Sequence, residues 1–187
     1  MPGVRSFSAT LARVGPDRAV MPGISVFADR PIFQIAFVVR DLDEALARYT
    51  DLFGASEWRQ WTFGSRDHEQ CAHRGEPADF STRLALNDQQ PQLELIQPLT
   101  ESGPHYQWLN ERGEGLHHLG IVVASVAAVI ARAADDGYET VASGSGIGPA
   151  RDGAWAYVDT SAVLGLMVEA VEPPTSMPPP EGARRST

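Results

Sequence analysis

Hydrophobic and polar positions along the chain follow an order of strand-like and helix-like segments. Residues 31–39 form an almost continuous apolar run, PIFQIAFVV, which predicts a strand buried on both faces. Apolar residues at helical spacing follow Asp41, a favourable N-cap, and Gly54 ends the predicted helix. Three further strands are predicted at residues 57–63, 80–86 and 92–97.

The second half of the chain repeats this order. A strand is predicted over 116–123, and a helix over 124–137 has Ser125 as its N-cap. Short strands are then predicted at residues 138–142, 154–159 and 166–171. A short helix is predicted around 106–111, between the two halves. The polar stretch 64–77 and the glycine-rich stretch 143–149 are predicted to be loops.

The repeat predicts how the chain is organised. Its parts are a flexible leader (1–30), a first βαβββ module (31–98), a linker (99–114), a second βαβββ module (115–172) and a disordered Pro-rich tail (173–187). Two such modules side by side predict an α+β fold with one curved, cupped mixed sheet and pseudo-twofold symmetry.

Polar residues at repeat-equivalent positions indicate a site. The stretch QIAFVV beginning at Gln34 aligns with HLGIVV beginning at His118, and Glu94 aligns with Glu169 in the last strands. All four interrupt apolar strands, where an unsatisfied buried polar group costs roughly 1–3 kcal/mol. A divalent metal would remove that cost, and these nitrogen and oxygen donors suit zinc, nickel, cobalt, manganese or ferrous iron. The alternative is four ordinary polar residues on strand faces open to water.

Further side chains with metal-binding chemistry have simpler interpretations. Because side chains alternate along a strand, we expect His117 to face away from His118, packing on the opposite side of the sheet. Three residues of the polar stretch are predicted to be surface residues, with an accessory metal site as the alternative: His68, Cys71 and His73.

Composition and charge exclude several classes of function. The chain has 187 residues, and its hydrophobic fraction of 43% is sufficient for a packed core. A net charge of -9 gives no electrostatic reason to bind nucleic acid or an anionic membrane surface. The single cysteine excludes an internal disulfide, and no apolar run reaches the roughly 20 residues that cross a bilayer. Residues 1–20 resemble an organellar transit segment weakly, but Gly15 and Pro16 favour an unstructured tail, and we predict a cytoplasmic location.

Four stretches resemble landmarks of the vicinal oxygen chelate superfamily, and those of the methylmalonyl-CoA epimerases most of all. They are FVVRDLDEA (37–45), QPLTES (97–102), WLNERGEGLHHLG (108–120) and GLMVE (165–169). The superfamily also includes glyoxalases, extradiol dioxygenases and bleomycin-resistance proteins. The resemblance covers about residues 31–172 and implies the paired-module fold together with metal-dependent chemistry.

The resemblance also implies a ligand set. The family's ligands, carried over from the first, fourth, fifth and eighth strands, fall on Gln34, Glu94, His118 and Glu169. This set differs from the epimerases' His, Gln, His and Glu at two positions and is similar to that of some eukaryotic glyoxalase I enzymes. The family's third-strand base has no counterpart in residues 80–86, which contain no carboxylate; the nearest one is Asp79.

The resemblance implies an isomerase or epimerase that removes a proton next to a carbonyl, giving an enolate, with Glu94 or Glu169 as the base. A lyase of the glyoxalase I type and a non-catalytic small-molecule binding protein of the resistance type are the alternatives. The expected substrate is an acyl-CoA or another compound with two neighbouring oxygens, and a homodimer is a hypothesis from the resemblance alone. Three residues are candidate substrate contacts, with core packing as the alternative for the aromatic pair: Trp61, Thr82 and Tyr157.

Overall fold

A computed structural model describes residue 27, residues 30–55 and residues 57–181. Most of the predicted leader and residues 182–187 of the predicted tail therefore lie outside the described residues. In the described part of the chain, no helix is both long and apolar enough to cross a membrane.

The described residues form ten strands and four helices. The strands are β1 (Ile32–Val38), β2 (Arg59–Gly64), β3 (Gln70–His73), β4 (Glu76–Pro77), β5 (Ser81–Leu86), β6 (Gln92–Pro98), β7 (Gly115–Val122), β8 (Thr140–Ile147), β9 (Gly153–Val158) and β10 (Met167–Glu172). The helices are α1 (Leu42–Phe53), α2 (Gly103–Arg112), α3 (Val126–Asp135) and α4 (Ser161–Leu164), and a short 3-10 turn spans Ser65–Asp67.

All ten strands belong to one sheet in the order β2-β5-β6-β1-β7-β10-β9-β8-β3-β4. The two module-opening strands, β1 and β7, pair antiparallel at its centre. Each of them pairs in parallel with the closing strand of its own module, β6 or β10. The mixed, curved sheet with four helices confirms the predicted α+β fold class.

The register of the central pair reproduces the sequence repeat. Gln34 lies opposite Gly120, and Ala36 lies opposite His118. A twofold axis between the strands therefore exchanges Gln34 with His118 and Ala36 with Gly120, as the aligned sequences require. The same axis relates the flanking strands, since Glu94 pairs with Ala36 and Glu169 pairs with Gly120.

Helices α1 and α3 occupy equivalent places and have the predicted caps. The Asp41 carboxylate accepts a hydrogen bond from the Glu44 amide at 2.9 Å, and the Ser125 hydroxyl accepts one from the Ala128 amide at 3.2 Å. Each helix buries its apolar side on the sheet, α1 over β5 and β6 and α3 over β9 and β10. Gly54 ends α1 in the left-handed conformation, at φ 63°.

Two segments predicted to be loops are strands. The stretch 64–77 contains β3 and β4, which extend the sheet beyond β8 of the other module. The stretch 143–149 lies mostly in β8, so the prediction of a flexible glycine-rich loop is wrong. Close packing accounts for one of its glycines, because a Cβ on Gly144 would lie 2.5 Å from both His68 and Trp155.

Residues 173–181, which we call the strap, have defined contacts, although disorder was predicted for this segment. The Trp61 indole N–H donates to the Pro178 carbonyl at 2.9 Å, and the Glu181 amide donates to the Gln60 carbonyl at 2.8 Å. At the other end, the Thr175 amide donates to Asp152 at 3.1 Å. Proline composition alone therefore did not predict the behaviour of the described part of the tail.

Candidate metal centre

Three buried side chains converge at the centre of the sheet. His118 lies on β7, and Glu94 and Glu169 lie on β6 and β10, the strands that flank the central pair. The His118 Nε2 atom is 3.1 Å from Glu169 Oε2 and 3.3 Å from Glu94 Oε2. One nitrogen or oxygen atom from each residue lies within 4.8 Å of the other two. The repeat therefore brings together three of the four predicted ligands.

The fourth predicted ligand, Gln34, lines a cavity that Glu94 and Glu169 also line. Its amide nitrogen donates to the Gln92 side-chain oxygen at 3.0 Å, so the oxygen is the atom it can offer to another partner. A Cβ at position 120 would lie 2.9 Å from that oxygen. Because Gly120 has no side chain, it leaves enough space for the Gln34 amide.

His117 does not face away from His118, so the prediction from strand alternation is wrong. The register between β1 and β7 shifts where Ala36 pairs with His118 and Phe37 pairs with Leu116, which leaves His117 without a partner residue. Such a β-bulge interrupts the alternation of side chains. Both imidazoles are fully buried, and the two Nδ1 atoms lie 2.8 Å apart.

His105 is a site residue that the sequence interpretation missed. Helix α2 begins at Gly103, three residues before the predicted start, and carries His105 into its first turn. The imidazole lines the cavity, and its Nε2 lies 2.9 Å from the Tyr157 hydroxyl. Burial lowers the pKa of His105 to about 3, so its ring is neutral. His118 was identified because the repeat gives it a partner position. The segment that contains His105 lies between the modules and has no repeat partner.

Burial and the two carboxylates have opposite effects on the pKa of His118. Burial disfavours the imidazolium, but Glu169 and Glu94 outweigh it and raise the pKa of His118 to about 9. Burial also raises the pKa of Glu94. The pKa of the Tyr157 hydroxyl is well above its usual value, because of burial and the nearby carboxylates.

These residues fit a divalent metal. With one proton on His118, two buried carboxylates still leave uncompensated negative charge, which is unfavourable in a water-poor site. The His118 Nε2 atom is aligned for a hydrogen bond with neither carboxylate, despite the short distances. Imidazole nitrogen and carboxylate oxygen are donors that several divalent metals accept, so the donor set alone does not select one metal.

Glu94 and Glu169 of the cluster line a cavity of about 340 Å³, and His118 is buried beside them. Trp61, Thr82 and Tyr157, the three candidate substrate contacts, all line it. His68 does so too and is not a surface residue: it accepts a hydrogen bond from the Trp155 indole N–H at 2.9 Å. Cys71 and His73 are partly buried in β3, and the structure groups neither with other ligands in the described part of the chain.

The third strand of the first predicted module places no carboxylate at the cavity. Thr82 is the buried residue of β5 there, and its hydroxyl lies 3.4 Å from the Phe63 carbonyl oxygen, to which it donates. Asp79 precedes the strand and accepts a hydrogen bond from the Ser65 hydroxyl at 2.9 Å. Among the described residues that line the cavity, the carboxylates are Glu94, Glu169 and Glu172.

Comparison with known structures supports the same fold. Methylmalonyl-CoA epimerase from Mycobacterium tuberculosis is 23% identical with a TM-score of 0.54, and the alignment covers 75% of this chain and 86% of that protein. A variant of Streptomyces coelicolor methylmalonyl-CoA epimerase, in complex with 2-nitronate-propionyl-CoA, is 20% identical with a TM-score of 0.54; coverage is 76% and 95%. At these identities the likeness concerns the fold.

Sequence comparison identifies the family directly. No curated protein sequence matches the chain significantly. The profile of the Glyoxalase/Bleomycin resistance protein/Dioxygenase superfamily matches residues 33–157, which is more than half of the chain and includes Gln34, Glu94 and His118. This match, the paired modules and the central cluster confirm the resemblance seen in the sequence: the chain belongs to the Glyoxalase/Bleomycin resistance protein/Dioxygenase superfamily.

Proposed function

We propose that the protein is a divalent-metal-dependent isomerase or epimerase that removes a proton from the carbon next to a carbonyl. The observation that carries this proposal is the buried cluster of Glu94, His118 and Glu169, whose two carboxylates line the cavity. His118, the two carboxylates and the Gln34 amide oxygen would hold the metal. When bound, the metal would supply Lewis-acid chemistry, which stabilises negative charge on a substrate oxygen by several kcal/mol.

The two carboxylates also provide the proton acceptor. In the metal-free site, burial raises the pKa of Glu94. A substrate with two neighbouring oxygens would present its C–H bond to Glu94 or Glu169. The proton would move from carbon to a carboxylate oxygen, which leaves an enolate, and would then return to carbon.

The pseudo-twofold arrangement favours epimerisation in particular. Glu94 and Glu169 approach His118 from strands on opposite sides of the central pair. A base on each side of the substrate can remove a proton from one face while its partner delivers a proton to the other. Because the third strand contributes no carboxylate to the cavity, Glu94 and Glu169, which both adjoin His118, are the proposed pair of bases.

Proton exchange with solvent tests the proposal. The purified protein, loaded in turn with Zn²⁺, Ni²⁺, Co²⁺, Mn²⁺ or Fe²⁺, is incubated in D₂O with 2-methylmalonyl-CoA and, separately, with 2-hydroxyacetophenone. NMR then measures deuterium at the carbon next to the carbonyl. We expect exchange that is abolished by a chelator and by His118→Ala. Unchanged exchange in a folded His118→Ala variant would overturn the proposal.

A lyase of the glyoxalase I type is the second candidate. It is favoured by the donor set and by the absence of a third-strand carboxylate, since one of the central carboxylates must then act as the base. Turnover of a glutathione hemithioacetal, without exchange of the two compounds above, would select the lyase. Tight binding of small molecules without turnover of any of them, with or without metal, would instead indicate a binding protein.

A further inference from the structure

The strap forms part of the cavity wall. Pro173, Pro174 and Met177 line the cavity together with aromatic residues of the sheet. Gly148 and Gly153 let the strap approach closely, because a Cβ on either would lie less than 3 Å from Pro174. The start of the strap is thus packed against the turn between β8 and β9.

The far end of the strap is attached to the opposite edge of the sheet. The Pro178 carbonyl accepts a hydrogen bond from the Trp61 indole. The Glu181 amide donates to the Gln60 carbonyl, and the Glu181 carboxylate accepts a hydrogen bond from the Thr62 hydroxyl at 2.7 Å. Strand β2, which carries these partners, is one edge of the sheet, whereas β8 and β9 belong to the other half. The strap therefore spans the cup from one module to the other.

Most of the remaining wall is apolar and aromatic. Its aromatic residues outside the metal centre are Phe33, Trp61, Phe63, Phe80, Trp155 and Tyr157. A volume of about 340 Å³ is near the lower end of the range of small-molecule sites. Flat rings stack favourably on such side chains, in offset or edge-to-face arrangements.

The cavity offers little positive charge. Among its described lining residues, Arg59 is the one arginine or lysine, and its guanidinium is paired with Asp88 while lying 5.9 Å from the Trp61 ring. The lining imidazole of His105 is neutral. Glu172 also lines the cavity, so its carboxylate adds negative charge to the wall. A phosphate group inside the cavity would therefore meet the Glu172 carboxylate, with the already paired Arg59 as the one lining arginine or lysine among the described residues.

We infer that the strap and the aromatic wall select a compact, uncharged, ring-bearing carbonyl compound, with a second oxygen on the neighbouring carbon, and select against coenzyme A thioesters. The inference rests on the proposed function, since it names the substrate class of the same site. The two oxygens would face the cluster of Glu94, His118 and Glu169. The ring would lie among the aromatic side chains under the strap.

Calorimetric titration of the Zn²⁺-loaded full-length protein tests this selectivity, with 2-hydroxyacetophenone as the small probe and coenzyme A as the phosphorylated one. We expect 2-hydroxyacetophenone to bind at least tenfold more tightly than coenzyme A. Met177→Lys places a cation in the wall, so it should weaken binding of the ketone at least fivefold and strengthen binding of coenzyme A. Met177→Leu keeps the wall apolar and should leave the affinity for the ketone within twofold.

Equal or tighter binding of coenzyme A, or no binding of the ketone at millimolar concentration, would overturn the inference. Its failure can be distinguished from failure of the proposed function. Metal-dependent exchange with 2-methylmalonyl-CoA but not with 2-hydroxyacetophenone would keep the function and overturn the substrate class. Selective ketone binding without exchange, whichever metal is added, would keep the selectivity of the cavity and overturn the function.

Discussion

The Nδ1 atoms of His117 and His118 lie 2.8 Å apart in the interior of the sheet. A hydrogen bond between two imidazole nitrogens needs a proton on one of them only. If Nε2 of His118 is the metal-binding atom, its Nδ1–H donates and His117 Nδ1 accepts. Burial holds the pKa of His117 well below its usual value, so this ring is neutral and can accept. His117 would thereby fix both the tautomer and the orientation of His118.

Replacing His117 should therefore weaken metal binding although His117 is not a proposed ligand. We expect His117→Leu to lower the affinity for Zn²⁺ by about 10- to 100-fold, because the orienting hydrogen bond is lost. His117→Asn retains a side-chain acceptor and should recover part of the affinity. Calorimetric Zn²⁺ titration measures both. Equal affinities for the wild type and the leucine variant would show that His117 only fills space.

Substitution of each glutamate by glutamine distinguishes the roles of the Glu94 and Glu169 carboxylates. Glu94→Gln and Glu169→Gln each keep an oxygen that can bind metal but lose a base. If the two bases act on opposite faces of the substrate, each variant should still exchange the proton of one stereoisomer with solvent. The rate at which the two stereoisomers interconvert should fall at least 100-fold. Chiral analysis of product, run beside deuterium incorporation, makes the measurement. Full interconversion in either variant would contradict the two-base arrangement.

The stability of the metal-free protein should fall at alkaline pH. Glu169 and Glu94 raise the pKa of His118 to about 9 against the effect of burial, compared with about 6.5 in the unfolded chain. The stabilisation is complete below pH 6.5 and is lost as the pH rises through about 9, which corresponds to at most about 3 kcal/mol. Urea unfolding between pH 6 and pH 9.5 tests this. The His118→Gln variant is the control and should lack the decline.

The sequence predicted those site residues that occupy equivalent positions in the internal repeat. Glu94, His118 and Glu169 were found because each occupies a repeat-equivalent position in an apolar strand, and the register preserves that equivalence. His105 occurs in the segment between the modules and has no such partner. The strap is joined to the sheet partly through backbone groups, such as the Pro178 carbonyl, whose partners cannot be read from side-chain identity.

The arrangement of His117 and the glycines of β8 depends on tertiary structure. One bulge is enough to bring His117 beside His118, and a rule of strict alternation cannot anticipate it. A glycine-rich stretch is equally compatible with a loop and with a strand crossed by large side chains. At Gly144 the crossing side chains are His68 and Trp155.

Gly144 provides a direct test of that packing. Gly144→Ala should destabilise the protein by about 1–3 kcal/mol, because the added methyl group would overlap the Trp155 and His68 rings. The neighbouring Ser143→Ala is the matched control in the same strand and should change the free energy of unfolding by less than about 0.5 kcal/mol. Similar free energies for the two variants would contradict the close approach.

Metal content is the most direct test of the central claim. The protein is incubated with Zn²⁺, freed of unbound ion by gel filtration and analysed by elemental mass spectrometry, beside a His118→Ala variant whose folding is verified by circular dichroism. We predict one ion per chain in the wild type and at least a tenfold reduction in the variant. Wild-type protein without bound metal, or a variant with unchanged content, would contradict the assignment of Glu94, His118 and Glu169 as a metal centre.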